Sequence, residues 1–302
     1  MAPTDEPVRQ RATTQESGHS RDLERPPLPE PLRTPVVDTH CHLDIHDGDQ
    51  GAEWLGVEDA LARAASVGVT RIVQVGCDLP SARWSVAAAR EHEHLVATVA
   101  LHPNEAPRIQ ARDGRAALEE AWAEIEALAA DPRVRGVGET GLDFFRTGED
   151  GRDVQEESFR RHLGLATRLG KPVVIHDRDA HADVIRVLES EGAPEHVVFH
   201  CYSGDAEMAR YCTDRGWYLS FAGTVTFKNA RALREALAVA PLDRVLVETD
   251  APYLTPTPYR GRPNASYLVP LTVRAMAEAG GHDEDELAQA LWDNAQRVFG
   301  PW

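Results

Sequence analysis

Cysteine is scarce. The four in 302 residues, Cys41, Cys77, Cys201 and Cys212, form no CxxC pair and no dense framework. A disulfide-stapled scaffold is excluded, and reduced thiols in a cytoplasmic protein are the expectation. Long apolar runs are missing too. None approaches the roughly 18 residues that cross a bilayer. The opening stretch MAPTDEPVRQRATTQESG lacks the apolar centre of a secretory signal. Positive charge is in deficit: 32 Lys and Arg against 49 Asp and Glu leave a formal net charge of −17. Such a chain is not drawn broadly to polyanions or anionic membranes, so no membrane partner is expected. A phosphate-bearing ligand would need local neutralisation, by a metal or a few basic side chains.

Periodicity is absent at the start and present afterwards. Residues 1–35 hold seven of the twenty prolines and eleven charged residues with almost no apolar pattern. This reads as a disordered or loosely draped tail, dispensable for activity. From residue 36 to 302 short β-branched runs alternate with amphipathic stretches. Eight runs read as strands: 36–43, 71–76, 95–103, 134–143, 172–177, 196–204, 217–223 and 244–254. Segments such as VEDALARAASVG and DVQEESFRRHLGLATRLG read as helices ending on Gly, and two more close the chain near 266–280 and 283–298. No internal repeat is evident. Eight alternations over some 265 residues match a single-domain α/β fold, the (β/α)₈ TIM barrel. A doubly wound open sheet is the competing fold.

The polar residues favour the barrel. Nearly every apolar run ends in a side chain able to bind metal: His40 and His42, His102, Glu139, His176, His200 and Asp250. Residues i and i+2 of a strand face one side, so His40 and His42 can share a site with Cys41 turned away. A closed barrel gathers its strand ends at one mouth and sets Asp250 beside His40, whereas an open sheet would spread them in a row. Imidazole and carboxylate donors without thiolate suit a first-row divalent ion. A single His at a strand end is more often a hydrogen-bonded structural residue; the joint pattern carries the inference.

The motifs DTHCHLD, LHP, GETGLDF, VIHDRDA, HCYSGD, TFKNA and ETDAPYLTP, in this order, resemble the TatD family of metal-dependent hydrolases. The resemblance runs from residue 36 to the C-terminal end. It implies a TIM barrel, a one- or two-metal site, taken here as two divalent metal ions (Mg²⁺, Mn²⁺ or Zn²⁺), and phosphodiester hydrolysis, commonly as a deoxyribonuclease. By position, His40, His42, Glu139 and Asp250 would hold one ion. Glu139, His176 and His200 would hold the second, with Glu139 bridging. Departures are small: Tyr202 replaces a Phe and adds a hydroxyl beside the site, and RGRPNAS stands where the family has RGxxNEP.

These residues then take roles. Asp250 is expected to be the general base, Glu139 the shared ligand and His102 a contact to phosphate or leaving group, or else a residue fixing a ligand. Arg178, two residues after His176, and Lys228 in TFKNA are candidates to bind substrate phosphate. Cys41 and Cys201 read as small packing residues. The expected activity is exodeoxyribonuclease action on DNA ends or single strands, and the family resemblance implies 3′-to-5′ polarity. The alternative is deacylase or lactonase chemistry with the same metal-activated water. Oligomeric state is not legible in the sequence.

Overall fold

The apolar runs fold as the strands of one closed sheet. The structure, a computed structural model, describes residues 4, 6–14, 20–47 and 54–302. The strands are β1 (Val36–Cys41), β2 (Val69–Gly76), β3 (Leu95–Val99), β4 (Val134–Asp143), β5 (Val173–Arg178), β6 (Val197–Phe199), β7 (Tyr218–Phe221) and β8 (Val245–Val247). All neighbours pair in parallel and in chain order. The helices α1 (Val57–Ser66), α2 (Leu79–Glu91), α3 (Glu105–Ala129), α4 (Glu149–Leu169), α5 (His181–Glu191), α6 (Ala206–Asp214) and α7 (Arg231–Val239) lie between strands. Two more, α8 (Val269–Gly280) and α9 (Glu284–Phe299), follow β8. Local chemistry sets their ends. Asp78 caps α2 by accepting from Ser81 N at 2.8 Å, and Gly170 ends α4 in the left-handed region at φ 62°.

The barrel is a packed core, not a pore. Val37, Val73, Val96, Val174, Val198, Tyr218 and Leu246 form one apolar cluster, a residue from each strand but β4. Ala295, Val298 and Phe299 of α9 join that cluster. Each such Val contributes about 1.5–3 kcal/mol by leaving water. With this end sealed, the polar residues fall at the other, C-terminal end of the strands.

Closure is made by side chains more than by ladder. Between β8 and β1 the pairing is an isolated parallel bridge, Cys41 to Ala251. Buried Asp38 accepts from Thr249 N at 2.9 Å and Thr249 Oγ1 at 2.6 Å. Thr39 Oγ1 donates to the Val247 carbonyl at 2.9 Å. Asp250 N then donates to the His40 carbonyl at 2.9 Å, and His42 N to the Ala251 carbonyl at 2.8 Å. An open sheet is thereby excluded.

The proline-rich segment differs from the loose tail its composition implies, in the parts described. Its extended backbone uses carbonyls that no local structure satisfies. Pro26 O accepts from Tyr267 OH at 2.7 Å, Glu24 O from Arg262 Nε at 2.8 Å and Pro31 O from Arg274 Nη2 at 3.3 Å. Leu32 is buried, with its N–H on the Val67 carbonyl at 3.0 Å. Residues 1–3, 5 and 15–19, also read as tail, lie outside the described residues.

Candidate metal centre and substrate cavity

Two register shifts aim the candidate metal-binding side chains. Between Asp38 and Cys41, β1 advances three residues while β2 advances two, from Ile72 to Gln74. Between Val137 and Thr140, β4 does the same against Val173 and Ile175 of β5. Each is a bulge, which turns a side chain off its regular face. The first carries His40 and the second carries Glu139. Gly141, at φ 137°, lets β4 run against β5: a Cβ there would stand 2.1 Å from the His176 carbonyl oxygen. Asp250 sits in the left-handed region at φ 53°, a strained conformation of the kind found at functional sites.

The strand ends converge on Glu139. Its carboxylate lies 3.5 Å from His40 Nε2, 3.5 Å from His102 Nε2 and 3.2 Å from His200 Nε2, and pairs with His176 Nδ1. Asp250 Oδ1 lies 3.3 Å from His42 Nε2 and 3.9 Å from His40 Nε2. Three triads each bring one donor atom per residue within 4.8 Å of the others: His40, His200, Asp250; His40, His42, Glu139; and His102, Glu139, His176. Both ring nitrogens of His40 are buried without a hydrogen-bond partner among the described residues. A buried imidazole left so, with Nε2 between the Glu139 and Asp250 carboxylates, fits a cation better than a packed core.

The electrostatics agree. Burial would raise the Glu139 pKa, but His200, His102 and His176 hold it well below the usual carboxylate range. Asp250 is likewise held low against burial by its bond to His42 and the charges of His200, His42 and His40. Burial pulls the histidines down. It prevails at His40, with His200 adding to it, and at His102. At His176 the Glu139 and Asp143 carboxylates win and push the pKa up to about 9; at His200, Glu248 and Glu139 raise it well above normal. Protons and cations thus compete for the same nitrogens.

An outer ring orients these side chains. His200 Nδ1 pairs with Glu248 Oε1 at 2.9 Å, and the same oxygen accepts from Cys201 N at 2.7 Å. His42 Nδ1 faces the Val75 carbonyl at 3.2 Å. His176 Nε2 lies 3.3 Å from Asp143, which is itself held by Asn104 Nδ2 at 3.0 Å. Asp38, Glu248, Asp143 and Asn104 were not singled out from the sequence, although each acid stands inside a quoted motif: DTHCHLD, GETGLDF, ETDAP. An acid two to four residues from a ligand was the available signal.

A cavity of about 340 Å³ opens over this cluster, lined by His42, His102, Glu139, His176, His200 and Asp250. Its wall also carries Arg9, Arg108, Arg146 and Arg178, four guanidiniums in a chain of net charge −17. Arg178 is therefore where the sequence put it, with its guanidinium 3.9 Å above the Phe145 ring. Lys228 is not. After β7 a short 3₁₀ turn, Gly223–Thr226, leads the chain outward. Lys228 lines a separate hollow with Arg231, Arg234 and Glu278. The Tyr202 hydroxyl, expected beside the site, instead donates to the Asp205 carbonyl at 2.8 Å. Cys41 is buried as expected, and burial pushes its thiol up. Among the described residues no helix is long and apolar enough to cross a membrane.

A parallel (β/α)₈ barrel with imidazoles and carboxylates converging at its C-terminal mouth defines a metal-dependent hydrolase. The chain belongs to the TatD-related DNase family, whose model matches residues 37–300. It is 48% identical over 269 residues to a Mycobacterium tuberculosis protein named uncharacterized metal-dependent hydrolase TatD, covering 88% of this chain and 98% of that one. It is 33% identical over 250 residues to the Citrobacter rodentium 3′-5′ ssDNA/RNA exonuclease TatD, covering 80% and 91%. The crystal structure of YjjV, a TatD homologue of Escherichia coli, superposes with a TM-score of 0.77 at 28% identity, over 88% of this chain and 98% of that one.

Proposed function

We propose that the protein hydrolyses phosphodiester bonds of single-stranded DNA from the 3′ end, with two divalent metal ions. The observation that carries the reading is the cavity: metal-competent donors and four arginines in one wall of an otherwise acidic protein. Carbonyl chemistry at the same centre would bring no phosphate charge for those guanidiniums to meet. The exonuclease name of the Citrobacter relative supports the polymer and its polarity.

His40, His42, Glu139 and Asp250 would hold one ion, and Glu139, His176 and His200 the other. Bound there, the ions supply an acidified water and positive charge for the phosphate oxygens. The remaining work falls to side chains. Asp250, kept ionised by His42, accepts the proton of the attacking water. His102, partly open to the cavity, faces the phosphate or the leaving oxygen. Arg178 forks a neighbouring phosphate. The buried Glu248 and Asp143 fix the rings of His200 and His176.

The test is a screen of 3′- and 5′-labelled oligonucleotides with Mg²⁺, Mn²⁺ and Zn²⁺, beside model esters, lactones and amides. Cleavage of oligonucleotides with little turnover of carbonyl substrates is expected. The reverse order would return the centre to deacylase or lactonase chemistry.

A further inference from the structure

The cavity wall is not built from the barrel alone. Arg9–Gln10 pair in parallel with Ile45–His46, in the loop just after β1. Val8 N and Arg9 N both donate to the Asp44 carbonyl, at 2.8 and 3.1 Å, and Arg11 N donates to the His46 carbonyl at 2.8 Å. Glu6 O accepts from Trp84 Nε1 at 3.1 Å. Arg11 lies 4.6 Å over the Tyr253 ring, donates to the Pro252 carbonyl and pairs with Asp47 at 3.2 Å. This is strand addition by the chain's own N-terminal segment, with main-chain bonds for strength and side chains for register. The family match begins only at residue 37, so this arm lies outside the family's core.

Arg9 is the arm residue in the cavity wall, beside His42, Cys77, Glu139, Asp250 and Tyr253. Its Nε and Nη2 reach Asp44 Oδ2 at 3.3 and 3.1 Å, while Nη1 stands 3.9 Å from Asp78. Asp44 does not depend on it. That buried carboxylate also accepts from Gln74 Nε2 at 2.9 Å and Ser81 Oγ at 2.7 Å. The Arg9 side chain keeps 32% of its surface exposed. A guanidinium with five donors, held through Nε and Nη2 by Asp44 and Ser81, flanked by Asp78 and still lining the cavity, has donors left to take an anion. We infer that the N-terminal arm supplies Arg9 as an anion-binding residue of the substrate cavity, placed for a phosphate next to the scissile bond. The phosphodiester identity of that anion rests on the function proposed above; the anion-binding role does not.

Full-length protein and the variants Arg9→Gln and Arg9→Lys are titrated calorimetrically with inorganic phosphate in Mg²⁺, then assayed on a single-stranded oligonucleotide. Arg83→Gln, on an exposed pair with Glu124, is the control. Arg9→Gln is expected to weaken phosphate binding about tenfold or more, roughly one charge-assisted hydrogen bond. Arg9→Lys keeps the cation but loses the fork, and about a two- to threefold loss is expected. Arg83→Gln leaves binding unchanged. On the oligonucleotide, KM rises in Arg9→Gln with kcat retained, and the slope of log K against log salt falls by about 0.7. A merely structural clamp would lower the melting temperature and leave phosphate binding at the wild-type value; that result overturns the inference. Should Arg9→Gln not fold, unchanged phosphate binding in Arg9→Lys does the same. Weakened phosphate binding with no oligonucleotide cleavage by any form supports the arm and refutes the phosphodiester reading.

Discussion

One carboxylate organises the centre. Glu139 is 4% exposed and has four histidine nitrogens within 3.5 Å. Glu139→Ala is expected to lower kcat/KM more than Ala at any other ligand, and by more than the ~100-fold ceiling for loss of an outer partner. Assays of the ligand series with metal content measured in parallel decide it; wild-type metal and activity in Glu139→Ala would contradict the bridging role. Glu248→Gln makes the contrast. It leaves every proposed ligand in place but weakens the hold on His200 Nδ1, and about a 10- to 100-fold loss in metal affinity or activity is expected. Metal titration of the folded variant checks it, and wild-type affinity would show that Glu248 merely fills space.

At the scale of elements, the seam between β8 and β1 ties barrel closure to the site. Asp38 receives both the N–H and the hydroxyl of Thr249, one residue before Asp250. Asp38→Ala leaves the buried Thr249 N–H without that acceptor. The expected cost is about 1–3 kcal/mol in urea unfolding, together with weakened metal binding as Asp250 loses its support. Unchanged stability and metal binding would mean that the ladder alone closes the barrel. The sequence made the strands and their terminal donors legible, because an apolar run that stops on His or Glu needs no partner to be noticed. It concealed the bulges at His40 and Glu139, since period-two reasoning carries no register. It also concealed Asp38, Glu248 and Asp143, whose tasks exist only once another strand lies beside them. Lys228 falls in a separate hollow for a similar reason: the turn after β7 decides where the next residues lie. The proline-rich segment shows no apolar period because its contacts are made by main-chain groups and by scattered side chains such as Arg9, Arg11 and Leu32.

At the scale of the whole molecule, part of the acid sensitivity is expected from a group outside the cavity wall. His162 on α4 is buried, accepts the Leu101 N–H at Nε2 over 3.5 Å and meets Thr140 Oγ1 with Nδ1 at 2.8 Å. Burial, with Arg161 nearby, pushes its pKa down to about 3. Between that value and about 6.5 the unfolded chain binds a proton that the folded chain does not, so stability falls as pH drops through this window. His162 should account for about 2 kcal/mol lost between pH 7 and pH 5. Denaturant unfolding at the two pH values should show a smaller loss in His162→Gln than in wild type. An equal loss would place the acid sensitivity elsewhere.

The proposed activity joins these scales. An acidic molecule with four arginines lining its cavity should engage few phosphates there, and so grip a strand end and not the middle of a duplex. The direct measurement is a time course in Mg²⁺ on a single strand carrying a 5′ label, run beside a covalently closed single-stranded circle. A ladder shortening from the 3′ end with the circle intact is the expected result. Rapid cutting of the circle would contradict end-dependent hydrolysis, and absence of any cleavage with each of Mg²⁺, Mn²⁺ and Zn²⁺ would contradict the phosphodiesterase itself.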